Sequence, residues 1–444
     1  MGAEGSGMGE FSKDNLLRSW KEISAYLGCD VRTCHRWEAK HGMPVHRAEG
    51  SETKSPVFAY RDELDQWFRE TFKNGHSKEK AAKGRPWVKW AVAGGIVLAL
   101  AAVFFIHWQK PVRRQPADFA IDGSFLVILD KNKHELWRKD TGLEDLKPEG
   151  FYRALFQVVN KNEGNMLPVL IIRDINGDGD SEVVFAPKRE RDQTGEGWVF
   201  CYDRDGKELW SFPAGKEIRC GGKTFSPDYR VAGFLCRDLD GDGRLETIIE
   251  SFHAPDWPCQ LAVLDASGKM IGEFWNSGYL REIAFHDIDG DGREELIVCG
   301  VNNEYKGGCL AIFDSRRISG GSPQTGEHAC EGFPPGSMLY YVTTPQTDVS
   351  AAFGHWVAGF RNVEITSNDW IRATTGEGLI FEFDFGLRCL RVYPTNGYRS
   401  EHQNLVGAGK LTSVLGDAYH EGFREGVRYW NGTAMVPVPT RCRR

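Results

Sequence analysis

Asp174-Ile-Asn176-Gly-Asp178-Gly-Asp180-Ser-Glu182 decides how this chain is read, because the pattern returns twice. It recurs as Asp238-Leu-Asp240-Gly-Asp242-Gly-Arg244-Leu-Glu246 and as Asp287-Ile-Asp289-Gly-Asp291-Gly-Arg293-Glu-Glu295. Side-chain oxygens at positions one, three and five can converge on a hard cation when the chain curls around it, and the glycines permit the curl. The ninth-position Glu supplies a further carboxylate, and position seven a backbone carbonyl. The expected cofactor is calcium. Its expected ligands are the Asp, Asn and Glu residues just numbered, with Asp180, Arg244 and Arg293 acting through their carbonyls. An EF-hand is excluded, because the Glu it needs at position twelve is replaced by Phe185, Ile249 and Val298. Those residues lie in short apolar runs that read as buried strands. Asn176 removes one carboxylate, so the first site is expected to be the weaker, and the metal is expected to staple each loop.

A second element alternates with these loops. Leu126-Val-Ile-Leu-Asp130 leads to Glu135-Leu136-Trp137, Val199-Phe-Cys-Tyr-Asp203 to Glu208-Leu209-Trp210, and Leu261-Ala-Val-Leu-Asp265 to Glu273-Phe274-Trp275. Each reads as a hairpin ending on Trp, and Cys309 to Asp314 opens a fourth, degraded copy. A period of roughly 50–70 residues predicts radial repetition of four-stranded units, an all-β propeller. The combination resembles the FG-GAP/VCBS repeats, the calcium-binding blades also found in integrin α-chains. Roughly 330 residues at this period give about five to seven blades over 121–444. Phe353 to Ile365, Leu379 to Tyr393 and Val427 to Val438 are candidates for the later ones.

Trp90 to Trp108 is a run of nineteen residues without Asp, Glu, Lys or Arg, bounded by Lys89 and Lys110. As a helix it would span roughly 28 Å, near the thickness of a bilayer core. The Trp residues at its ends suit the headgroup level, so 87–109 is expected to be a transmembrane helix. Lys73, Lys78, Lys80, Lys83, Arg85 and Lys89 precede it, while Lys110, Arg113 and Arg114 follow. By the positive-inside rule the N-terminus is cytoplasmic and the C-terminal part periplasmic or extracellular. Ala91, Gly95 and Ala99 offer a small-residue face on which two such helices could meet as a homodimer. The expected layout is a disordered 1–14, a folded 15–73, a basic linker 74–86, the span, a linker 110–120 and the propeller.

Within 15–73, Ser19 and Glu22 form a capping box, Gly28 ends a first short helix, and Asp30 caps a second. Met43 to Arg47 and Val57 to Tyr60 read as a two-stranded wing, and Arg61 to Phe72 as a closing helix with Leu64, Trp67 and Phe68 inward. Trp20, Glu22, Ile23, Tyr26, Leu27 and Gly28, then Val31, Arg32, Thr33, Arg36, Trp37 and Glu38, then Glu63, Leu64 and Trp67 carry a resemblance to winged helix-turn-helix domains of the MerR and excisionase type. The resemblance implies a small α(+β) DNA-binding domain. Arg32, Thr33, His35 and Arg36 would face base edges in the major groove, and Arg47 and Lys54 would meet phosphates.

The chain has 444 residues, 26% of them charged, and a net charge of −7. Up to Arg85 there are 15 Lys and Arg against 13 Asp and Glu; from Ala117 onward there are 36 against 49. The acidic balance of the second part disfavours nucleic acid there and suits divalent cations. Eleven cysteines form no CxxC pair, which argues against a zinc ribbon or a thioredoxin-like site. Cys29 and Cys34 are expected to stay reduced, and the nine later cysteines could form disulfides. No nucleophile elbow, HExxH, P-loop or dinucleotide fingerprint occurs, and His253 with Asp256 and His286 beside Asp287 are the only histidines near the loops of interest. The expected protein is therefore not an enzyme. It is a membrane-anchored transcription regulator, similar in layout to the ToxR type, whose calcium-binding sensor recognises an unidentified ligand outside the cytoplasm. Two alternatives stay open. One is an adhesion or scaffold receptor whose cytoplasmic head binds protein, and the other a calcium-dependent polysaccharide-active enzyme.

Overall fold

Ser19 caps the first helix as its spacing from Glu22 predicts, its hydroxyl accepting from the Glu22 N–H at 3.2 Å. The Glu22 carboxylate reaches back one residue further than the usual box and accepts from the Arg18 N–H. The computed structural model describes residues 15–47, 57–72, 113–161, 167–190, 197–253, 257–354 and 359–442, and the chain divides into two units, Met1–Lys110 and Pro111–Arg444. In the first unit, helices Trp20–Leu27 and Val31–His41 are separated by Gly28 in the left-handed conformation. Helix Arg61–Phe72 follows a small antiparallel sheet in which Val57–Tyr60 lies between Leu16–Leu17 and His46–Arg47. Ile23, Cys34, Ala59, Leu64 and Trp67 form the core, and the Trp67 indole donates to the His41 carbonyl at 2.8 Å. Phe68, expected inside, is exposed.

The second unit is mostly β-sheet. Strands Leu170–Arg173, Glu182–Phe185, Trp198–Tyr202 and Glu208–Pro213 form one antiparallel sheet in sequence order. Tyr229–Arg237, Glu246–His253, Cys259–Leu264 and Met270–Asn276 form the next, with Ser319–Gly321 added in parallel at its edge. Leu280–His286, Glu295–Asn302, Gly307–Asp314 and Tyr340–Thr343 continue into Arg428–Trp430 and Met435–Val436, six strands in all. A three-stranded sheet over Asp118–Asp140 precedes these, and Phe360–Ile365, Ile371–Thr375, Leu379–Phe383 and Cys389–Pro394 form a last four-stranded one. Ile218–Cys220 and Lys223–Phe225 make a separate hairpin, clipped by a Cys220–Cys330 disulfide.

In two successive sheets the turn after the third strand is tied to the sheet before it. In the turn Asp203–Gly206 the glycine sits at φ +84 with the Trp137 ring directly above it, and the Trp137 indole donates to the Arg204 carbonyl at 2.9 Å. The pattern repeats one sheet on, where Trp210 covers Gly268 and donates to the Ala266 carbonyl. Trp275 does not continue the series, contrary to the alignment of the three hairpins. Trp137 and Trp210 stand opposite Ile128 and Cys201, and the equivalent position opposite Val263 is Gly272. A Cβ there would lie 2.8 Å from the Ile318 carbonyl, so the close approach of the parallel edge strand requires glycine. Trp275 is instead buried between Tyr229 and Phe333.

Several expectations about the fold are corrected. The second unit is not an all-β array of uniform blades: its sheets hold two to six strands, and helices Glu149–Lys161, Asp348–Phe353, Asn396–Gly407 and Asp417–Glu425 pack among them. Val427 to Val438 extends an existing sheet rather than founding a new one. The Trp90–Trp108 run lies outside the described residues, and among the described residues no helix is long and apolar enough to cross a membrane. The single-pass placement, and with it the cytoplasmic head and exported sensor, therefore loses its support.

The stitched glycines make a direct test. Gly206→Ala and Gly268→Ala place a methyl group against an indole in a left-handed backbone, and each is expected to cost about 2–4 kcal/mol in urea denaturation of the full chain. Gly409→Ala, at φ +70 with open space around it, is expected to cost only about 1–2 kcal/mol. Equal losses at the three positions would refute the stitching.

Candidate functional site

The three Asp-rich loops occupy the same place in three successive sheets, joining the first strand to the second. In each, the first Asp closes the turn. Asp174 accepts from the N–H groups of Gly177 and Gly179 at 2.7 and 2.9 Å, Asp238 from Gly241 and Gly243 at 2.6 and 3.0 Å, and Asp287 from Gly290 and Gly292 at 2.8 Å each. The fifth-position Asp178, Asp242 and Asp291 each accept from the N–H two residues on, which belongs to Asp180, Arg244 and Arg293. The ninth-position Glu is buried every time and accepts from the second residue of its own loop: Glu182 from Ile175, Glu246 from Leu239 and Glu295 from Ile288, at 2.7, 2.8 and 2.9 Å. Burial pushes all three Glu carboxyls up, and the neighbouring Asp charges push the same way.

The loops differ in how far their oxygens converge. Among the described residues, one carboxylate oxygen each from Asp238, Asp240 and Glu246 lie within 4.8 Å of one another, and so do those of Asp287, Asp289 and Asp291. These oxygen-only sets on tight glycine turns could hold a hard divalent cation. The first loop forms no such carboxylate trio: the Asn176 amide donates to Glu182 at 3.2 Å, holding that carboxylate within the loop. Asp180 turns its carboxylate to Gln115 and Arg204, at 2.6 and 2.7 Å, leaving its side chain spent on neighbours. Loops one and two touch, with the Leu245 N–H donating to the Ile175 carbonyl at 2.8 Å. Arg441, near the C-terminus, pairs with Asp289 of the third loop at 3.1 Å.

The residues expected to contact DNA are mostly engaged within the first unit. Arg47 pairs with Glu38 at 2.7 Å, the His35 ring lies 4.0 Å from that of Trp20, and the Thr33 hydroxyl donates to its own helix cap, Asp30. Arg32 and Arg36 are exposed, while Lys54 lies outside the described residues. With basic and acidic residues nearly balanced, two exposed arginines are little against a polyanion that rewards many cations at once. The histidines noted earlier also have ordinary surroundings. The His253 ring meets the Ser226 hydroxyl at 3.2 Å, with Asp256 outside the described residues, and His286 packs on Phe385.

Two features escaped the sequence. Asp348, at the start of a helix, accepts from Tyr398 at 3.2 Å and also from Tyr419 and Ser413, while the His402 imidazole lies 2.9 Å from the Ser413 hydroxyl. The hydroxyl donates to the carboxylate, and the same imidazole nitrogen faces both groups, so this is a hub joining three helices rather than a nucleophile relay. Glu250 is fully buried with neither oxygen hydrogen-bonded among the described residues, and burial pushes its carboxyl up to about 8.

No family model matches the chain. It is 29% identical over 118 residues to the rhamnogalacturonan endolyase YesW of Bacillus subtilis (strain 168), covering 25% of this chain and 16% of that protein. It is 29% identical over 109 residues to the rhamnogalacturonan exolyase YesX of the same organism, covering 23% of this chain and 15% of that protein. The chain thus spans about a sixth of the length of the curated relatives it matches. Solved structures similar to it include BamB from Moraxella catarrhalis, with a TM-score of 0.32 at 13% identity over 63% of this chain and 62% of that one. A rhamnogalacturonan lyase of Bacillus licheniformis follows at 0.30 and 15%, over 51% and 42%, and the Dos1 propeller at 0.30 and 10%, over 62% and 65%. The expected kinship with MerR or excisionase domains and with FG-GAP/VCBS repeats has no matching family model behind it. Because these relatives are polysaccharide lyases, the membrane-anchored transcription regulator, its DNA and membrane partners, and the expectation of no enzyme are all set aside.

Glu250 sets a pH dependence. Its folded-state value lies above its ordinary one, so the proton is held more tightly in the folded chain. The stability it contributes is full below the ordinary carboxylate range and is lost as pH rises to about 8. Glu250→Gln is expected to flatten the decline in unfolding free energy between about pH 5 and 8 by a few kcal/mol, measured by urea denaturation at stepped pH. Parallel pH profiles for the two proteins would contradict this.

Proposed function

We propose that the second unit is a calcium-dependent, polysaccharide-active domain that works on an acidic polymer of the rhamnogalacturonan kind. The observation that carries the reading is the sequence likeness to two rhamnogalacturonan lyases, partial as its coverage is. The charge balance adds a physical requirement. From Ala117 onward the chain carries 36 basic against 49 acidic residues, and such a surface repels a polyanion unless divalent cations stand between them. The loops over Asp238–Glu246 and Asp287–Glu295 gather carboxylates where such cations could sit. Calcium in these loops would neutralise the clustered Asp charges, and the chain's own contribution is the glycine turns that hold the oxygens together.

The test uses the full chain and rhamnogalacturonan with millimolar calcium or excess chelator. The polymer is expected to retain the protein only with calcium, and prolonged incubation is expected to shorten the polymer. Absence of both retention and shortening with calcium present would overturn the reading.

A further inference from the structure

Beside the third loop the surface opens into two adjoining cavities of about 410 and 470 Å³, which share Asp314, Arg317 and Leu339 as a common wall. We propose that this continuous cleft is where the acidic sugar chain binds, its uronate carboxylates taken by Arg293 and Arg317. The inference rests on the reading of the second unit as polysaccharide-active and adds the place and the groups that recognise the polymer.

The larger cavity is the charged end. It is lined by Arg293, Arg316, Arg317 and Arg441 and by five carboxylates, Asp289, Asp291, Glu294, Glu295 and Asp314, of which Glu294 is taken by Arg237 and Glu295 by the Ile288 N–H. Two of the arginines are already committed, Arg441 to Asp289 and Arg316 to both oxygens of Asp314 at 3.0 Å. Arg293 and Arg317 are exposed and make no ion pair among the described residues. Both stand on anchored backbone. The Arg293 N–H donates to Asp291 at 2.9 Å, the Arg317 N–H to the Asp314 carbonyl at 2.8 Å, and the Arg317 carbonyl accepts from the Ser337 hydroxyl at 2.6 Å. A guanidinium on a fixed stem pairs with a carboxylate through two parallel hydrogen bonds, which a hydrated ammonium does not match.

The smaller cavity is different in character. Met338, Leu339 and Trp430 give it apolar surface, and Ser319 and Ser337 provide hydroxyls. A pyranose ring has the same mixture, C–H faces that lie on apolar groups and an equator of hydroxyls. Each cavity falls in the range that holds a small ligand, and their shared wall makes the pair a groove suited to a chain. The C-terminal tail forms part of it, because the Cys442 N–H donates to the Leu339 carbonyl at 2.8 Å and thereby fixes Arg441 beside the third loop. A small inorganic anion would use the charged end alone, whereas an acidic sugar chain would use both.

Isothermal titration of the full chain with oligogalacturonate, and separately with its methyl ester, tests the assignment. The free acid is expected to bind, and the ester, whose carboxylates are masked, about tenfold or more weakly. Arg293→Ala with Arg317→Ala is expected to reduce binding of the acid to the level of the ester, and Arg317→Ala alone to act in the same direction should the double variant melt early. If the wild-type protein binds the acid and both variants bind equally well, the cleft is the wrong place while the proposed function stands. If rhamnogalacturonan retains the protein but oligogalacturonate does not bind, carboxylate recognition is overturned. If neither is bound, both readings fall.

Discussion

A buried carboxylate that takes one backbone N–H recurs three times and holds the centre of the second unit in register. Glu182, Glu246 and Glu295 each begin a second strand directly opposite the residue that ends the first, Arg173, Arg237 and His286. Each then reaches across its own loop to the N–H of the loop's second residue. The loop is thereby closed at its base, and the first Asp closes it at its tip by accepting from two glycine N–H groups. These bonds gather negative charge that the chain itself neutralises only in part, through Arg204 at Asp180 and Arg441 at Asp289. A carboxylate buried beside other carboxylates is costly unless it is protonated or meets a cation. The same geometry that sets the strand register thus gathers carboxylates where protonation or a divalent ion would relieve their repulsion.

The outer edge of the sheets is held differently. Trp137 and Trp210 each cover the glycine of the next sheet's turn and donate to its backbone, so neighbouring sheets are joined by an indole rather than by strand pairing. Where the series stops, at Gly272, an edge strand comes in parallel and the chain turns toward Asp314 and Arg317. The segment after Asp314, which would have continued the hairpin, is thus diverted to the preceding sheet as Ser319–Gly321.

The loops were legible because their chemistry is local: spacing alone places oxygens and glycines on a curl, and the structure draws two of the three sets together. The hairpins were legible only in part. Trp137 and Trp210 follow their Asp by seven residues, but Trp275 follows Asp265 by ten, and matching on the Glu and Trp hid the three extra residues. The equivalent turn at Asp384 went unseen because Leu387 takes the left-handed position that Gly206 and Gly268 occupy elsewhere. Asp348, Tyr398, His402 and Tyr419 meet from three helices, with Ser413 from the connection between the last two, and no pattern in sequence reports it. In the first unit the helices and their caps were readable, yet the use of their surface was not. Whether Arg47 faces a phosphate or Glu38 depends on a partner nine residues away, and no periodicity reports it.

The central claim is that the carboxylate loops are held by calcium, and melting of the full chain in stepped calcium concentrations tests it most directly. Binding to the folded chain alone raises the melting temperature with the logarithm of free calcium above the dissociation constant, so the account predicts a continuous rise of several degrees over two decades. It also predicts that Asp238→Ala combined with Asp287→Ala removes most of that rise, since both convergent trios lose a ligand. Superimposable melting curves with calcium and with chelator would contradict the account.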